Sequence, residues 1–239
     1  MTRVQVLSSA EELARAASWY VQELVLQAER ERGRVLLVLS GGSTPLPVYE
    51  RLAKLALPWT QMHLFWGDER CAPPEDSFSN YGNARRALIS KVPIPENNVH
   101  RIRVERDPPE AAQVYEDELR RFFGSDPPIM DLILLGVGSD GHTASLFPGG
   151  PELAEDQRWV VNSEPPAGIE PALPRITLTL PIINQARAVL FLAAGKDKRQ
   201  ATSSILRVSG AGKELPAGLV RPKGELAWFL DHEAAPGLG

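Results

Sequence analysis

The sequence predicts an α/β fold in which helices cover both faces of an open, mainly parallel sheet. Short apolar runs alternate along the chain with segments of helical character, which is the order produced when helices connect neighbouring parallel strands. The runs "RVLLVLS" and "MDLILLG" are also continuously apolar, as expected of strands that are buried on both faces. The predicted architecture is therefore Rossmann-like.

The first predicted element is a long helix near the start of the chain. Ser9 followed by Glu12 has the spacing of a capping box, and apolar residues recur behind it at helical intervals up to about Glu31. The segment ahead of Val35 is accordingly predicted to form one helix and no helix-turn-helix.

Seven apolar runs are predicted to form strands, and four segments between them are predicted to form helices. The strand candidates span residues 34–40, 62–68, 130–136, 159–162, 175–180, 187–195 and 225–231. The helix candidates span residues 45–55, 80–90, 108–123 and 198–208. Proline-rich segments such as "SEPPAGIEPALP" are predicted to be loops within one domain that spans residues 1–239.

Composition argues against several classes of partner. A formal net charge of −4 without a basic block makes a nucleic-acid partner unexpected, and no run of about 18 apolar residues indicates a membrane span. Cys71 is the sole cysteine, which excludes an intrachain disulfide and favours a reducing compartment. Glu11 and Glu12 lie where a signal peptide would be apolar. The chain is therefore predicted to be cytoplasmic, as a monomer or a small homo-oligomer.

A glycine-rich turn follows the first predicted strand, at the sheet edge where open parallel sheets bind their ligands. In "SGGSTP", Gly41 and Gly42 permit a sharp bend, Thr44 is a candidate helix cap and Pro45 suits the first helical position. The backbone N–H groups of such a turn converge on one point, so Gly41 to Thr44, with Ser43 among them, form a candidate phosphate site. An ordinary strand-to-helix turn is the alternative.

Charged residues follow two further predicted strands. "WGDER" places Asp68, Glu69 and Arg70 at the end of its strand, and the guanidinium of Arg70 matches the geometry of phosphate oxygens. "GKDKRQ" places Lys196 and Lys198 near a helix start, where cations oppose the helix dipole unless an anion is bound. Solvated loops are the alternative for both segments.

The segment "LILLGVGSDGHTASLFPGG" has the spacing G-x-G-x-x-G at Gly136, Gly138 and Gly141, which also occurs in dinucleotide-binding turns. Proline and glycine soon after the third glycine leave too little room for the crossover helix that such a turn requires, so no nucleotide cofactor is predicted. What remains is a turn that presents Asp140 and His142 two residues apart. A carboxylate so placed can orient an imidazole for general-base catalysis. A surface turn capped by Asp140 is the alternative.

Other catalytic arrangements are not predicted. His63, His100 and His232 have no comparable setting and are interpreted as structural or surface residues. No spacing typical of a metal site, such as CxxC or HExxH, occurs, and there is no G-x-S-x-G nucleophile elbow. The sequence therefore predicts neither a metal nor a cofactor.

The motifs together resemble those of a known family. "LSGGSTP", "WGDER" followed by "SNYGNAR", "GVGSDGHTASLFPG", "RITLTLP" and "GKDK" resemble, in this order, the motifs of the 6-phosphogluconolactonases, from about residue 39 to residue 231. These enzymes belong to a broader family with the glucosamine-6-phosphate deaminases. The resemblance implies the fold that this family shares with ribose-5-phosphate isomerases and CoA transferases. It also implies hydrolysis of 6-phospho-D-glucono-1,5-lactone to 6-phosphogluconate, in the oxidative pentose phosphate pathway.

The resemblance also implies roles for individual residues. His142 matches the general base of the family and Asp140 its companion, so that His142 would activate water without a metal. Backbone N–H groups of the turn at 138–141 are the predicted oxyanion donors. The residues implied in binding the phosphorylated sugar lactone are Gly41, Gly42, Ser43, Thr44, Asp68, Arg70 and Lys198. Whether Lys196 or Arg175 also contacts the phosphate is left open by the sequence.

One position bears on the choice within the family. The deaminases carry a glutamate five residues beyond the histidine, whereas this chain has Phe147, which cannot transfer a proton. A deaminase or another phosphosugar isomerase is nevertheless the first alternative. A non-catalytic phosphosugar sensor is the second, although such sensors usually accompany a DNA-binding segment that the predicted N-terminal helix does not provide.

Overall fold

The computed structural model describes residues 2–207, 212 and 214–235. In this part of the chain nine strands form two sheets. The strands are β1 (Thr2–Leu7), β2 (Val35–Leu39), β3 (Met62–Trp66), β4 (Asp68–Arg70), β5 (Leu132–Gly136), β6 (Val160–Ser163), β7 (Arg175–Leu178), β8 (Ala188–Ala193) and β9 (Glu225–Asp231). The main sheet has the order β1-β9-β8-β5-β2-β3 with every neighbouring pair parallel, and β4-β7-β6 form a small antiparallel sheet. The predicted α/β class with a mainly parallel sheet is confirmed.

Two features of the strands were not predicted. The predicted helix ahead of Val35 is present, but β1, which was not predicted, precedes it and pairs with β9 at the edge of the main sheet. Its sequence "TRVQVL" alternates polar and apolar residues and stays largely exposed, so it lacks the continuous apolar signature of the inner strands. The runs at 159–162 and 175–180 form the predicted strands, but these lie in the small antiparallel sheet, where β7 pairs with β6 on one side and with β4 ("DER") on the other.

The described residues also contain seven α-helices. They are α1 (Ala10–Arg32), α2 (Leu46–Leu52), α3 (Asn80–Ala87), α4 (Pro108–Phe123), α5 (Leu180–Ile183), α6 (Arg199–Leu206) and α7 (Pro216–Leu219). The predicted boundaries of α4 are matched, whereas the predicted helix at 80–90 ends as a separate short 3-10 turn. Of the predicted helix at 198–208, α6 is present and Val208 lies outside the described residues.

The N-termini of α1 and α2 differ in whether a side chain caps the helix. The hydroxyl of Ser9 accepts a hydrogen bond from the backbone N–H of Glu12, as the capping box predicted. The prediction that Thr44 caps the next helix was wrong. Pro45 precedes α2, which has no side-chain cap and is only seven residues long. The fixed φ of proline starts this helix without one.

The core lies on both faces of the main sheet. Every residue of β2 and of β8 is buried, which requires covering layers on both sides. Within one of these layers the rings of Phe191 and Trp228 stack with their centroids 3.9 Å apart. The described residues include no helix with the combined length and apolar character of a membrane span.

Two of the histidines interpreted as structural form a half-buried network beside β3. Nδ1 of His63 lies 3.1 Å from Nε2 of His100, whose Nδ1 lies 3.0 Å from Oε1 of Glu118. The chain of contacts fits two neutral rings, with His100 donating to the carboxylate and His63 donating to His100. Burial, together with repulsion from His100 in its protonated form and from Arg34, lowers the pKa of His63 from 6.5 to about 4.

We expect this network to make the fold sensitive to acid. In the unfolded chain His63 is protonated below about pH 6.5, whereas in the folded chain it is protonated only below about pH 4. Between these two values the unfolded state binds more protons, so the free energy of unfolding falls as the pH is lowered. Between pH 7 and pH 5, wild type should lose about 1 kcal/mol more than His63→Gln in urea denaturation. The exposed His232 provides a control, His232→Gln, that should follow wild type. Equal losses in His63→Gln and wild type would contradict this assignment.

Candidate active site

The loops that follow β2, β3, β5 and β8 meet in one cleft of about 250 Å³. These four strands are consecutive neighbours in the main sheet, so their carboxyl ends share one edge. The cleft is lined by eight of the nine residues that the sequence singled out: Gly41, Gly42, Ser43, Thr44, Asp68, Arg70, His142 and Lys198. The ninth, Asp140, does not line the cleft but contacts His142 directly.

The turn at 40–45 lines the cleft and leaves four of its backbone donors unused. None of the N–H groups of Gly41, Gly42, Ser43 and Thr44 donates to another described residue. The phenol of Tyr49 holds the start of the turn, since it accepts from the N–H of Ser40 and donates to its carbonyl. Four adjacent free N–H groups at the end of a buried strand have the character of an anion-binding turn.

Close packing requires glycine at position 41. A Cβ there would overlap the side-chain amide of Asn80, the first residue of α3. The same amide donates to the backbone carbonyl of Asp68 at 2.9 Å and to its carboxylate at 3.2 Å. Asn80 therefore ties the glycine-rich turn after β2 to the charged segment after β3.

The three charges of "WGDER" have different settings. Asp68 is buried in the cleft wall, where its second carboxylate oxygen accepts from the hydroxyl of Ser145 at 2.6 Å. Glu69 faces away and accepts from the backbone N–H groups of Asn80 and Tyr81 at the start of α3. Burial raises the pKa of Glu69 to about 7, against the effect of these hydrogen bonds. Glu69 thus anchors α3 and lies outside the cleft lining.

Two cations reach the cleft from opposite sides. Arg70 is half-buried, and one of its terminal nitrogens donates to the carbonyl of Phe78 at 2.9 Å. Lys198 lies on the far side, with Nζ 2.9 Å from the exposed carboxylate of Asp197. Lys196 is not brought in, because its side chain is 78% exposed and lies outside the cleft lining.

Asp140 and His142 form a tight pair. Oδ1 of Asp140 lies 2.6 Å from Nδ1 of His142 and also accepts from the backbone N–H of His142 at 3.1 Å. Burial acts to raise the pKa of Asp140, but the hydrogen bond and charge of His142 prevail and lower it below its ordinary value. Because the carboxylate is ionised, Nδ1 of His142 carries a proton and Nε2 is the nitrogen left to accept one.

The loop that carries this pair closes on itself. The N–H of Gly138 donates to the carbonyl of His142 at 2.8 Å, and the N–H of Gly141 donates to the carbonyl of Gly138 at 3.0 Å. The prediction that these glycine N–H groups stabilise an oxyanion was therefore wrong for Gly138 and Gly141, because both donors are already used. The loop is rigid for the same reason, which holds His142 in one orientation.

Phe147 lies behind the imidazole. Its ring is buried, with its centroid 5.0 Å from that of His142. A dinucleotide-binding turn would require a crossover helix after Gly141, but the chain forms no α-helix between Gly141 and Gly150. The part of the chain that the structure describes also has no cluster of three or more His, Cys, Asp or Glu side chains arranged to hold a metal ion.

Sequence reasoning missed two residues that shape the cleft, and it left the role of a third, Arg175, open. Arg175 lines the cleft, while Ser145 and Asn80 hold Asp68 from behind. The sequence left open whether Arg175, the charged residue that starts the otherwise uncharged run "RITLTL", also contacts the phosphate. Ser145 and Asn80 occur in the quoted motifs, but no local pattern indicated that they contact Asp68. Ser145 lies 77 residues from Asp68 in the sequence and Asn80 lies 12 residues from it.

Comparison with known families gives one match over most of the chain. The model of the family described as glucosamine-6-phosphate isomerases/6-phosphogluconolactonase matches residues 8–228. Among curated proteins, the 6-phosphogluconolactonase of Synechocystis sp. is 42% identical over 240 residues, which cover 99% of this chain and 98% of that protein.

Solved structures of the same family are also similar to this chain. The 6-phosphogluconolactonase of Thermotoga maritima superimposes with a TM-score of 0.86 at 33% identity, over 97% of this chain and 100% of that one. The 6-phosphogluconolactonase of Trypanosoma cruzi superimposes with a TM-score of 0.89 at 31% identity, over 100% of this chain and 97% of that one. Both superpositions therefore include the two sheets and the loops that line the cleft.

Proposed function

The chain belongs to the glucosamine-6-phosphate isomerase/6-phosphogluconolactonase family, and we propose that it is a 6-phosphogluconolactonase. It hydrolyses 6-phospho-D-glucono-1,5-lactone to 6-phosphogluconate, the second step of the oxidative pentose phosphate pathway. One observation of the structure supports this best. The Asp140–His142 pair faces a cleft whose other walls carry Arg70, Lys198 and a turn with free backbone N–H groups.

His142 acts as the general base. Nε2 takes a proton from water, and the resulting hydroxide attacks the carbonyl carbon of the lactone. Asp140 stabilises the imidazolium that forms, since its carboxylate already holds Nδ1. The tetrahedral intermediate then collapses with cleavage of the bond between the carbonyl carbon and the ring oxygen. His142 returns its proton to that oxygen, which becomes the hydroxyl of the open-chain product.

The phosphate group holds the substrate for this attack. The free N–H groups from Gly41 to Thr44, together with Arg70 and Lys198, are the proposed phosphate ligands. Asp68 keeps lone pairs beyond those used by Ser145 and Asn80, and it accepts a hydrogen bond from a sugar hydroxyl. Binding energy from this remote end fixes the lactone against His142, which raises the rate of the chemical step.

The wider setting proposed for the protein is simple. Its partner is the small phosphorylated lactone, with no nucleic acid and no membrane, and its location is the cytoplasm. The net charge of −4 and the sole cysteine support this setting. We propose that it works as a monomer or a small homo-oligomer.

A two-part assay tests the function. Acid release from freshly generated 6-phosphogluconolactone is followed with and without purified protein, and we expect acceleration far above the spontaneous rate. In parallel, ammonia release from glucosamine 6-phosphate is measured, and none is expected because the buried Phe147 offers no acid or base beside His142. Ammonia release without lactone hydrolysis would assign the chain to the deaminases. Binding of phosphosugars with neither reaction would make it a sensor.

Replacing Arg70 should mainly weaken substrate binding. Arg70→Ala removes a charge-assisted contact to phosphate, so KM should rise about 10- to 100-fold while kcat changes only a few-fold. Steady-state kinetics on the lactone measure both constants. Arg15→Ala, an exposed cation on α1, is the matched control and should leave both unchanged. An unchanged KM in Arg70→Ala would remove Arg70 from the phosphate site.

A further inference from the structure

Arg175 is a buried arginine whose charge has no carboxylate partner among the described residues. It is 2% exposed and lines the cleft at the start of β7. One terminal nitrogen donates to the carbonyl of Pro171 at 2.9 Å, whereas Nε is buried without any hydrogen-bond partner. The described ion pairs do not include this residue.

Such a setting is costly for the ligand-free protein. A buried charge destabilises a fold unless an opposite charge or a full set of hydrogen bonds compensates it. The guanidinium carbon of Arg175 lies 5.6 Å from the centroid of the Phe147 ring, a contact that offsets only part of this cost. The guanidinium of Arg175 therefore has the character of a ligand-binding group whose charge would be compensated by a bound anion.

The position of Arg70 indicates which anion this is. Arg70 and Arg175 are direct cross-strand partners in the antiparallel pair of β4 and β7, so their side chains leave the same face of the small sheet. Nε of Arg70 is also buried without a partner. Like charges placed opposite each other repel, and the nearby carboxylate of Asp68 is engaged by Ser145 and Asn80. A dianion between the two guanidiniums would relieve both charges.

We propose that Arg175 is a second arginine of the phosphate site and that it clamps the substrate's phosphate together with Arg70. This inference rests on the proposed function, because the phosphorylated lactone is the ligand that supplies the dianion. The planar guanidinium of arginine has several N–H donors in a geometry that matches phosphate oxygens, and the described residues use one terminal nitrogen of Arg175.

The test combines kinetics with binding of inorganic phosphate. Arg175→Met keeps much of the side-chain volume and removes the charge. We expect KM for the lactone to rise about 10- to 100-fold with kcat within a few-fold of wild type. We also expect the increase in Tm that inorganic phosphate produces in wild type to be lost. The Tm without phosphate should stay the same or rise, because an uncompensated buried charge has been removed.

Controls separate this role from the others. Arg175→Lys keeps the charge without the planar fork and should be intermediate in both assays. Arg15→Met removes an exposed cation and should behave as wild type. A lower Tm with an intact phosphate shift would show that Arg175 is structural. A fall in kcat with unchanged KM and unchanged phosphate shift would place it at the reacting carbonyl instead. Either result overturns the proposal.

Failure of the proposed function would give a different pattern. If wild type binds phosphate through Arg175 but hydrolyses no lactone, the phosphate clamp stands and the lactonase proposal fails. If wild type hydrolyses the lactone and Arg175→Met retains both KM and the phosphate shift, the lactonase proposal stands and the clamp fails.

Discussion

Replacing His142 with Asn is expected to lower kcat by about 10²- to 10⁴-fold, which is the usual contribution of a general base. Asparagine fills a similar place beside Asp140 but cannot accept the proton of an attacking water. KM should change little, because the proposed phosphate ligands lie on other loops of the cleft. Initial rates of acid release, corrected for spontaneous hydrolysis, measure the effect.

The size of this effect is interpretable only beside its controls. His232→Asn alters an exposed histidine and should retain wild-type kinetics. Binding of 6-phosphogluconate to His142→Asn should match wild type, which shows that the cleft is intact. Near-normal turnover in His142→Asn would end the assignment of this residue as the base.

Asp140 supplies a second check on the same step. Because it acts through His142, the double variant Asp140→Asn/His142→Asn should be no slower than His142→Asn alone. Additive losses would mean that Asp140 does something other than orient the imidazole. The 2.6 Å contact between Oδ1 and Nδ1 is the structural basis for expecting one unit rather than two.

Local signals were sufficient for the part of the fold that determines the site. Continuous apolar runs predicted the inner strands of the main sheet, since burial on both faces leaves no polar alternation. Glycine and charged residues directly after those runs predicted which loops meet at the sheet edge. β1 was not predicted because an exposed edge strand alternates polar and apolar residues and has no continuous apolar run.

Pairings between distant segments could not be predicted in this way. The register that sets Arg70 opposite Arg175 depends on an antiparallel sheet that no local pattern announced. The contact of Ser145 with Asp68 joins residues 77 positions apart. A sequence indicates which side chains suit a site, whereas the tertiary pairing decides which of them share it.

The sequence marked Gly138 as part of a glycine turn, but the structure gives the residue a different reason. Its backbone does not require glycine, since its φ is not positive. A Cβ there would overlap Nδ1 of His142 and Oδ1 of Asp140, the two atoms whose contact holds the proposed general base. Gly138 is thus needed for the space that the pair occupies, and an alanine would displace the imidazole.

Gly138→Ala is therefore expected to lower kcat/KM at least about 100-fold, because a displacement of a catalytic group by about 1 Å has a cost of this order. Gly67→Ala is the matched control. Its added Cβ would lie 3.7 Å from the side chain of Val38, an ordinary contact, so activity should be retained. The expected increase in Tm with inorganic phosphate should be retained in Gly138→Ala, since the proposed phosphate ligands lie on other loops. Wild-type kinetics in Gly138→Ala would show that the Asp140–His142 geometry is not what limits the reaction.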